Sequence, residues 1–200
     1  MNRLLLGTTN KGKLAELRAL LDGLGLDLLD PTALHLQLDI AETGDDYASN
    51  ASLKAEAFSA ASGIWCLADD TGLEVDVLGG APGLHSARLI GLLGSDKQRR
   101  QRLLTMLAPH PRPWRARFRS VVALASPGGK IDLAEGECPG EIIPKERGEM
   151  GFGYDPIFLL QEVGRTMAEL EMEAKNRLSH RAIAIQAIMP ILRRRLGLES

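Results

Sequence analysis

Residues 64 to 72 read Ile64-Trp65-Cys66-Leu67-Ala68-Asp69-Asp70-Thr71-Gly72, an apolar run that ends in two adjacent acids. The apolar part is typical of a short buried strand. Each acid loses hydration at the end of such a strand unless a cation or hydrogen-bond donors compensate. A tight turn at Thr71-Gly72 would hold both acids at a sheet end, where ligands of open α/β sheets bind. The alternative is an Asx-type turn with two solvated carboxylates.

Strand and helix patterns alternate along the rest of the chain. The spacing predicts strands at residues 4–6, 64–68, 118–125, 130–135 and 157–160. It predicts helices at residues 14–21, 46–62, 95–107 and 179–196, with a further helix from the capping box at Thr166 and Glu169. Pro190 is expected to kink or split the last helix. One hairpin among these elements indicates a mixed α/β sheet, and no linker interrupts residues 1–200, which are expected to form a single domain.

Composition limits the classes of function. The chain has 200 residues, 44% hydrophobic and 25% charged, so it can bury a core. A net charge of −2 argues against a nucleic-acid partner. The two cysteines give no disulfide framework, and no apolar run resembles a signal peptide or a membrane span. The sequence therefore predicts a cytoplasmic protein with no membrane association.

Thr8-Thr9-Asn10-Lys11-Gly12-Lys13 lies where the first strand passes into the first helix. Free backbone N–H groups at a helix N-terminus favour anions, and a lysine adds positive charge. The stretch lacks the spacing of a Walker A loop. The alternative is an ordinary capped helix start with a solvated lysine.

Other candidate groups are more widely spaced. Glu42 precedes Thr43-Gly44, and Asn50 and Lys54 share one helix face because they are four residues apart. Each also fits a plain turn or a solvated face. Lys175, His180 and Arg181 form a basic group near the start of the last helix, as donors aimed at one acceptor or as a solvated helix end.

Gly148-Glu149-Met150-Gly151-Phe152-Gly153-Tyr154-Asp155-Pro156 is the second strong signal. Its three glycines surround an aromatic pair and an acid. Such a loop can lay Phe152 flat against a nucleobase, because its neighbours carry no side chains. The alternative is a tight turn whose aromatic side chains fill the core.

Together these segments resemble the inosine triphosphate pyrophosphatase family, in family order from Leu4 to about Ile185. The motifs that carry the resemblance are Thr-Thr-Asn-Lys-Gly-Lys, Glu-Thr-Gly, Asn-Ala-Ser-Leu-Lys-Ala, Ala-Asp-Asp-Thr-Gly-Leu, Gly-Gly-Ala-Pro-Gly, Ser-Ala-Arg, Gly-Phe-Gly-Tyr-Asp-Pro and Ser-His-Arg. The resemblance implies an elongated mixed β-sheet flanked by helices, with two lobes and a central cleft. It also implies a homodimer and a Mg²⁺ cofactor, for which Mn²⁺ is an alternative.

The resemblance assigns a role to each matching residue. Glu42 and Asp70 would hold the metal, and Asp70 would also accept the proton of the attacking water. The triphosphate would be bound by Thr8, Thr9, Asn10, Lys11, Gly12 and Lys13, with Lys54 at the phosphate oxygens and Arg88 in the same pocket, and Thr71 would contact the substrate. Phe152, Gly153, Tyr154 and Asp155 would flank the base, and Lys175, His180 and Arg181 would read it. Three positions depart from the family pattern: Thr9 stands for a small residue, Ser49 for a frequent Glu, and Thr71 for a frequent Ser.

The implied reaction is hydrolysis of non-standard purine nucleoside triphosphates, those of inosine (ITP, dITP) and xanthosine (XTP), to the monophosphate and pyrophosphate. Donors from the basic group would satisfy a keto oxygen at purine position 6 and oppose the amino group of adenine. Guanine also has this oxygen, so its exclusion needs another contact. The alternatives are a related pyrophosphatase for modified or pyrimidine nucleotides and a nucleotide-binding regulator without catalysis.

Overall fold

The structure, a computed structural model, describes residues 2–91 and 93–198. Strands and helices alternate along this part of the chain. In chain order they are β1 (Asn2–Leu6), α1 (Lys11–Leu20), β2 (Leu26–Leu29), α2 (Tyr47–Ser62), β3 (Cys66–Val75), β4 (Pro82–Gly83), α3 (Asp96–Leu107), β5 (Trp114–Ala125), β6 (Ile131–Ile142), β7 (Phe158–Leu160), β8 (Arg165–Thr166), α4 (Met172–Leu178) and α5 (His180–Leu196).

The strands form one open mixed sheet. The order of paired neighbours is β2-β1-β3-β5-β6-β7-β8, and β4 pairs with β3. Strand β1 is parallel to both β2 and β3. The pairs β3–β4, β6–β7 and β7–β8 are antiparallel. The predicted mixed α/β class is therefore confirmed.

The chain divides into two compact units. The first contains the residues through Asp70, Ser120–Gly136, and the residues from His180 onward, and the second contains Thr71–Arg119 and Glu137–Ser179. Each unit has its own apolar core. The core of the first packs strands β1 and β3 with α1 and α5, and that of the second packs β5 and β7 with α3. The expected single domain over residues 1–200 stays a prediction.

Capping residues set the starts of the helices. In the first unit, Asn10 caps α1 by accepting from the Lys13 N–H, and Asp46 caps α2 by accepting from the Ser49 N–H. In the second unit, Ser95 caps α3 in a complete capping box with Gln98. These starts agree with the sequence signals, because short polar side chains satisfy the free N–H groups of a first helical turn.

Two predicted details of the secondary structure need correction. The capping box of Thr166 and Glu169 is present, but it opens a short 3-10 turn, and the α-helix begins later, at Met172. Pro190 does not split the last helix, since α5 continues from His180 to Leu196 with the proline inside, and a kink at this proline stays a prediction. None of the helices within the described residues is long and apolar enough to cross a membrane.

The predicted turn at Thr71-Gly72 is also wrong. Strand β3 continues through both residues to Val75. The strand continues because its pairing continues. Strand β1 ends at Leu6, opposite Leu67, and β3 pairs further along with β4, where Leu73 lies opposite Gly83. The two acids are thus inside β3 but beyond the carboxyl end of its parallel neighbour. That position keeps them next to the loop that follows β1.

Candidate active site

The loop after β1 meets the acids of β3. Gly7 lets the backbone approach closely, because a Cβ at this position would lie 2.8 Å from the Cys66 sulfur. Asn10 then fixes the first turn of α1: its backbone N–H donates to the Thr8 hydroxyl at 3.2 Å, and its side-chain oxygen accepts from the Lys13 N–H at 3.1 Å. Residues 9 to 11 are exposed. The arrangement presents the free N–H groups of a helix start, which attract anions.

Asp69 and Asp70 point to opposite faces of β3, as consecutive strand residues do. The Asp69 side chain contacts groups from α1 and α5, whereas the Asp70 side chain contacts groups from α2. The two adjacent acids therefore belong to two separate clusters in the first unit.

The cluster around Asp69 consists of acidic and basic side chains, most of them buried. Lys13 Nζ lies 3.2 Å from Asp69 Oδ2, and the guanidinium of Arg181 donates to that same oxygen from Nε and Nη2. Arg181 also donates through Nη1 to Glu16. Asp69, Glu16 and Arg181 are each at most 3% exposed. Buried charges of this kind are stable only when paired, so this cluster holds the N-terminal turn of α1 against β3 and α5.

The cluster around Asp70 centres on Lys54. Lys54 Nζ donates to Glu42 Oε1 at 2.7 Å and lies 3.4 Å from Asp70 Oδ1. The second carboxylate oxygen of Asp70 accepts from the side-chain amide of Asn50 at 3.3 Å. Asn50 in turn accepts at 2.8 Å from the N–H of Gly44, two residues after Glu42. One face of α2 thereby joins the loop of Glu42 to the strand of Asp70.

The backbone of Gly44 lies very close to the start of α2, which makes this connection possible. A Cβ on Gly44 would lie 2.6 Å from the Cβ of Ser49 and 2.8 Å from Asn50 Oδ1. Real side chains do not tolerate such distances, so glycine is required where the loop meets the start of α2.

Burial and charge shift the pKa values of this group. Burial raises the pKa of Asp70, and the nearby ammonium groups of Lys54 and Lys13 offset only part of that rise. Burial alone would lower the pKa of Lys54, but the carboxylates of Asp70, Asp69 and Glu42 outweigh it and raise the value. The pKa of Lys13 is lowered, chiefly by burial. Perturbed groups of this kind cluster at functional sites.

The donors of the Asp70 cluster fit a hard divalent cation. Glu42 and Asp70 both direct oxygen atoms at one ammonium group, and Mg²⁺ and Mn²⁺ prefer such carboxylate ligands. Within the described residues, no group of three or more His, Cys, Asp or Glu side chains could hold a metal ion. Two carboxylates without a complete cage suit Mg²⁺, which is commonly bound by one or two carboxylates together with substrate phosphates.

In the second unit, the glycine-rich loop closes around Asp155. Asp155 Oδ2 accepts from the Phe152 N–H at 2.9 Å and from Lys175 Nζ at 2.6 Å. Lys175 Nζ lies 5.3 Å from the centre of the Phe152 ring. Gly151, with φ of 76°, makes room for this pair, since a Cβ there would lie 2.1 Å from Asp155 Oδ2. The structure thus brings Phe152, Asp155 and Lys175 together.

Tyr154 connects the same loop to the turn that carries Arg88. Its hydroxyl donates to the backbone oxygen of Ser86 at 2.8 Å, and Ser86–Arg88 forms one 3-10 turn. The Ser86 hydroxyl binds the Leu73 N–H at 2.8 Å. Thr71 stands earlier on the same strand and is partly exposed. The ring of Tyr154 itself is 4% exposed and belongs to the core of the second unit.

The three predicted base readers differ in environment. Lys175 is paired with Asp155 in the second unit, while His180 begins α5 in the first unit and is 4% exposed. Arg181 is 1% exposed and donates to Asp69 and Glu16. To donate to a base, Arg181 would have to give up an ion pair with a buried carboxylate. The geometry therefore favours Arg181 as a support for the acids of its own unit.

Sequence reasoning missed three residues of these clusters. Glu16 binds Arg181 in the Asp69 cluster, and Asp96 and Arg100 bind the backbone of Gly153 at 2.8 Å each. None of the three had a sequence signal, since their partners are distant in sequence. Asn50 was singled out with Lys54 as a pair on one helix face, and its side chain does contact Asp70.

The fold and these clusters define an α/β protein whose lysines and paired carboxylates suit a phosphate ligand accompanied by a divalent cation. A model of the Ham1 family matches residues 4–191, and the chain belongs to that family. It is 45% identical, over 96% of each chain, to the dITP/XTP pyrophosphatase of Desulforamulus reducens. It is 44% identical to the dITP/XTP pyrophosphatase of Streptomyces avermitilis, over 98% of this chain and 100% of the relative.

Solved structures agree with this assignment. A HAM1 protein from Coxiella burnetii superposes with a TM-score of 0.86 at 36% identity, over 97% of this chain and 100% of that one. The family resemblance stated from the sequence motifs is thereby confirmed.

Proposed function

We propose that this chain hydrolyses non-standard purine nucleoside triphosphates, namely dITP, ITP and XTP, to the monophosphate and pyrophosphate. The family and the names of its relatives support a nucleoside triphosphate pyrophosphatase. The observation that carries the proposal is the Asp70 cluster, in which one lysine lies between two carboxylates. A protein that only bound triphosphates would gain nothing from added negative charge unless a metal accompanied the ligand.

Different side chains of this protein would offset the phosphate charge, hold the cation and accept the proton of the attacking water. Lys13, Lys54 and the N–H groups at the start of α1 offset the negative charge of the triphosphate. Glu42 and Asp70 hold the cation. When bound, Mg²⁺ supplies positive charge to the phosphate oxygens and lowers the pKa of water. Asp70 accepts a proton from the attacking water, and its raised pKa brings it closer to the range in which a general base is effective.

Recognition of the base is assigned to the loop of the second unit. Phe152 offers a flat apolar face, with Gly153, Tyr154 and Asp155 as its flanking residues. Lys175 carries an ammonium group that can donate to a keto oxygen, and it is fixed by Asp155 at 2.6 Å. A site built around such a donor rejects a base that presents an amino group there, because the two donors then face each other. His180 is proposed to contribute to the same selectivity.

Domain organisation, cellular location, oligomeric state and cofactor are proposed as well. We expect residues 1–200 to act as a single pyrophosphatase domain in the cytoplasm, as a homodimer, with Mg²⁺ or Mn²⁺ as the cofactor. Gel filtration combined with light scattering tests the dimer. A monomer at micromolar concentration would remove that part of the proposal and leave the reaction untouched.

The decisive experiment measures pyrophosphate release across a panel of dITP, ITP, XTP, dATP, dGTP and a pyrimidine triphosphate. Each substrate is assayed with Mg²⁺, with Mn²⁺ and after exhaustive EDTA treatment. Preferred turnover of the hypoxanthine and xanthine nucleotides, lost in EDTA and restored by metal, is the expected result. Preference for a pyrimidine or modified nucleotide would move the chain to the related pyrophosphatases. Tight nucleotide binding without pyrophosphate release would make it a regulator.

A further inference from the structure

Helix α3 binds both backbone polar groups, the N–H and the carbonyl oxygen, of Gly153 in the glycine-rich loop 148–156. The N–H of Gly153 donates to Asp96 Oδ2 at 2.8 Å, and the carbonyl oxygen of Gly153 accepts from Arg100 Nη1 at 2.8 Å. Asp96 and Arg100 are four residues apart, so both lie on one face of α3. Gly153 has a φ of 60°, the left-handed region that favours glycine. We call this arrangement the Gly153 clamp.

Both side chains of the clamp are themselves fixed. Arg100 donates from Nε and Nη2 to the two carboxylate oxygens of Glu146, at 2.9 and 3.0 Å. That hydrogen bonding lowers the pKa of Glu146. Asp96 uses its second oxygen, Oδ1, to accept from Arg99 at 2.6 Å. Paired, charge-assisted hydrogen bonds of this kind are stronger and more directional than neutral ones, so the clamp is a rigid support.

The residues on either side of Gly153 are fixed by other contacts. Asp155 binds the Phe152 N–H and the Lys175 ammonium with one oxygen, and Tyr154 donates to the backbone of Ser86. Gly153 lies between these two anchored aromatic residues. Without the clamp its peptide groups would lose their partners on α3, and the backbone angles between Phe152 and Tyr154 would be held less tightly.

We propose that Asp96 and Arg100 are positioning residues for nucleobase selectivity, which act by fixing Gly153 and thereby the plane of Phe152 beside Lys175. The proposal rests on the function proposed above, in which this loop reads the base. A site discriminates between similar bases only when its groups are held in place beforehand, since a mobile loop can adapt to the wrong base. Loss of the clamp should therefore reduce discrimination more than turnover.

Helix capping does not explain the clamp. Ser95 and Gln98 already form a complete capping box at the start of α3. Asp96 follows that cap, and its Oδ2 is directed at Gly153. Replacing Asp96 thus leaves the helix start satisfied, which separates its effect on the loop from an effect on the helix.

The test compares Arg100→Met with Arg102→Met. Both variants remove one arginine from α3 and keep an aliphatic side chain, but Arg102 is exposed and has no role in the clamp. We measure kcat and KM for dITP, dGTP and dATP. Because hydrogen bonds to charged groups stabilise more than neutral ones, Arg100→Met should raise KM for dITP by about 10-fold and lower the dITP preference by at least about 10-fold. The kcat for dITP should change by less than about 3-fold, and Arg102→Met should match the unmodified chain.

Asp96 provides the conservative rescue. Asp96→Asn keeps an oxygen that can accept from the Gly153 N–H, so most of the preference should remain, whereas Asp96→Ala removes the acceptor and should behave like Arg100→Met. Amide hydrogen exchange of the segment 148–156 gives a readout that does not need activity. Exchange there should be faster in Arg100→Met and Asp96→Ala, and unchanged in Arg102→Met.

Each outcome decides one question. An unmodified chain that shows no preference for dITP or XTP removes the proposed function itself. A preference that survives in Arg100→Met and Asp96→Ala, with or without faster exchange, overturns the clamp while leaving the function intact. If Arg100→Met does not fold, Glu146→Gln weakens the anchor of Arg100 and is judged by the same ratio of substrate preferences.

Discussion

Arg181 donates from both Nε and Nη2 to a single oxygen of Asp69, at 3.0 and 2.9 Å. Its remaining terminal nitrogen, Nη1, donates to Glu16. Arg181 is 1% exposed, and burial would lower its pKa, but the carboxylates of Asp69 and Glu16 outweigh that effect and raise it. The guanidinium is thus a positive group shared by two buried acids of the first unit.

This relationship predicts that Arg181 matters for stability. Arg181→Ala removes the guanidinium from two buried carboxyl groups, Glu16 and Asp69, of which Asp69 keeps its contact with Lys13. Breaking a buried ion pair in this way costs about 3–5 kcal/mol of the free energy of unfolding. Arg181→Lys keeps the charge with fewer donors and should lose less. Urea unfolding of the three proteins measures the difference. Unchanged stability of Arg181→Ala, together with a lost preference for dITP over dATP, would instead identify Arg181 as a reader of the base.

Asp70→Asn tests the proposed proton acceptor. The change keeps the size of the side chain and removes the charge, so pyrophosphate release should fall by at least about 100-fold. Burial raises the pKa of Asp70, which means that its ionised form is less stable in the folded chain than in the unfolded one. The variant should therefore unfold at the same temperature or a higher one.

Asp132→Asn is the matched control, because Asp132 pairs with Arg195 in the same unit, outside the Asp70 cluster. It should lose stability and keep its turnover. Turnover of Asp70→Asn near that of the unmodified chain would exclude Asp70 as the base.

Asn50 offers a test of how the two acids are held together. Asn50→Leu removes the acceptor of the Gly44 N–H and the donor to Asp70, so Glu42 and Asp70 lose their common support. Changes to residues that orient metal ligands typically cost 10- to 100-fold in metal affinity or activity. We therefore expect half-maximal pyrophosphate release to need about 10-fold more Mg²⁺. Electron paramagnetic resonance titration of Mn²⁺ gives the affinity directly.

Ser59→Ala is the control for Asn50, because Ser59 is another buried polar residue of α2 and its hydroxyl donates to backbone oxygens of Ile64 and Ala125. It should destabilise the chain without changing metal affinity. Equal metal affinity in Asn50→Leu and the unmodified chain would show that the amide has no part in the site.

Local patterns made much of the fold predictable. Asn10, Asp46 and Ser95 each precede a helical pattern, and each caps the helix that follows it. A strand was also correctly predicted within residues 64–68, although it begins at Cys66 and continues to Val75, and the turn predicted after it was wrong. The local turn preference of Thr71-Gly72 was overridden by the pairing of the same strand with β4, a partner that only the folded chain supplies.

The supports of the candidate site could not be predicted. Arg181 and Asp69 lie 112 positions apart, and Gly153 and Asp96 lie 57 apart. Sequence spacing reports only neighbours on one helix or strand, so it identified Lys54 with Asn50 and could not identify these pairs. For the same reason, the sequence could not show that Arg181 pairs with two buried acids.

Glu169 supplies a last prediction, on pH. Its carboxylate accepts from Arg147 at 2.7 Å and from the Thr166 N–H at 2.8 Å, and these hydrogen bonds, Arg147 first, lower its pKa from 4.5 to about 2. A carboxylate whose pKa is lowered in the folded state stabilises that state at any pH above the pKa of the unfolded chain, and this stability is lost as the pH falls toward the pKa of the folded chain.

Glu169→Gln should therefore unfold at lower urea than the unmodified chain at neutral pH, by a modest amount because the pair is partly exposed. The difference in urea midpoint between the two proteins should shrink between about pH 4.5 and about pH 2, because Glu169 becomes protonated there and is then neutral, as glutamine is. Glu173→Gln, in the exposed pair with Arg177, should leave the urea unfolding at neutral pH unchanged. A difference for Glu169→Gln that stays constant through the acid range would mean that shape alone, and not the charge of Glu169, stabilises this turn.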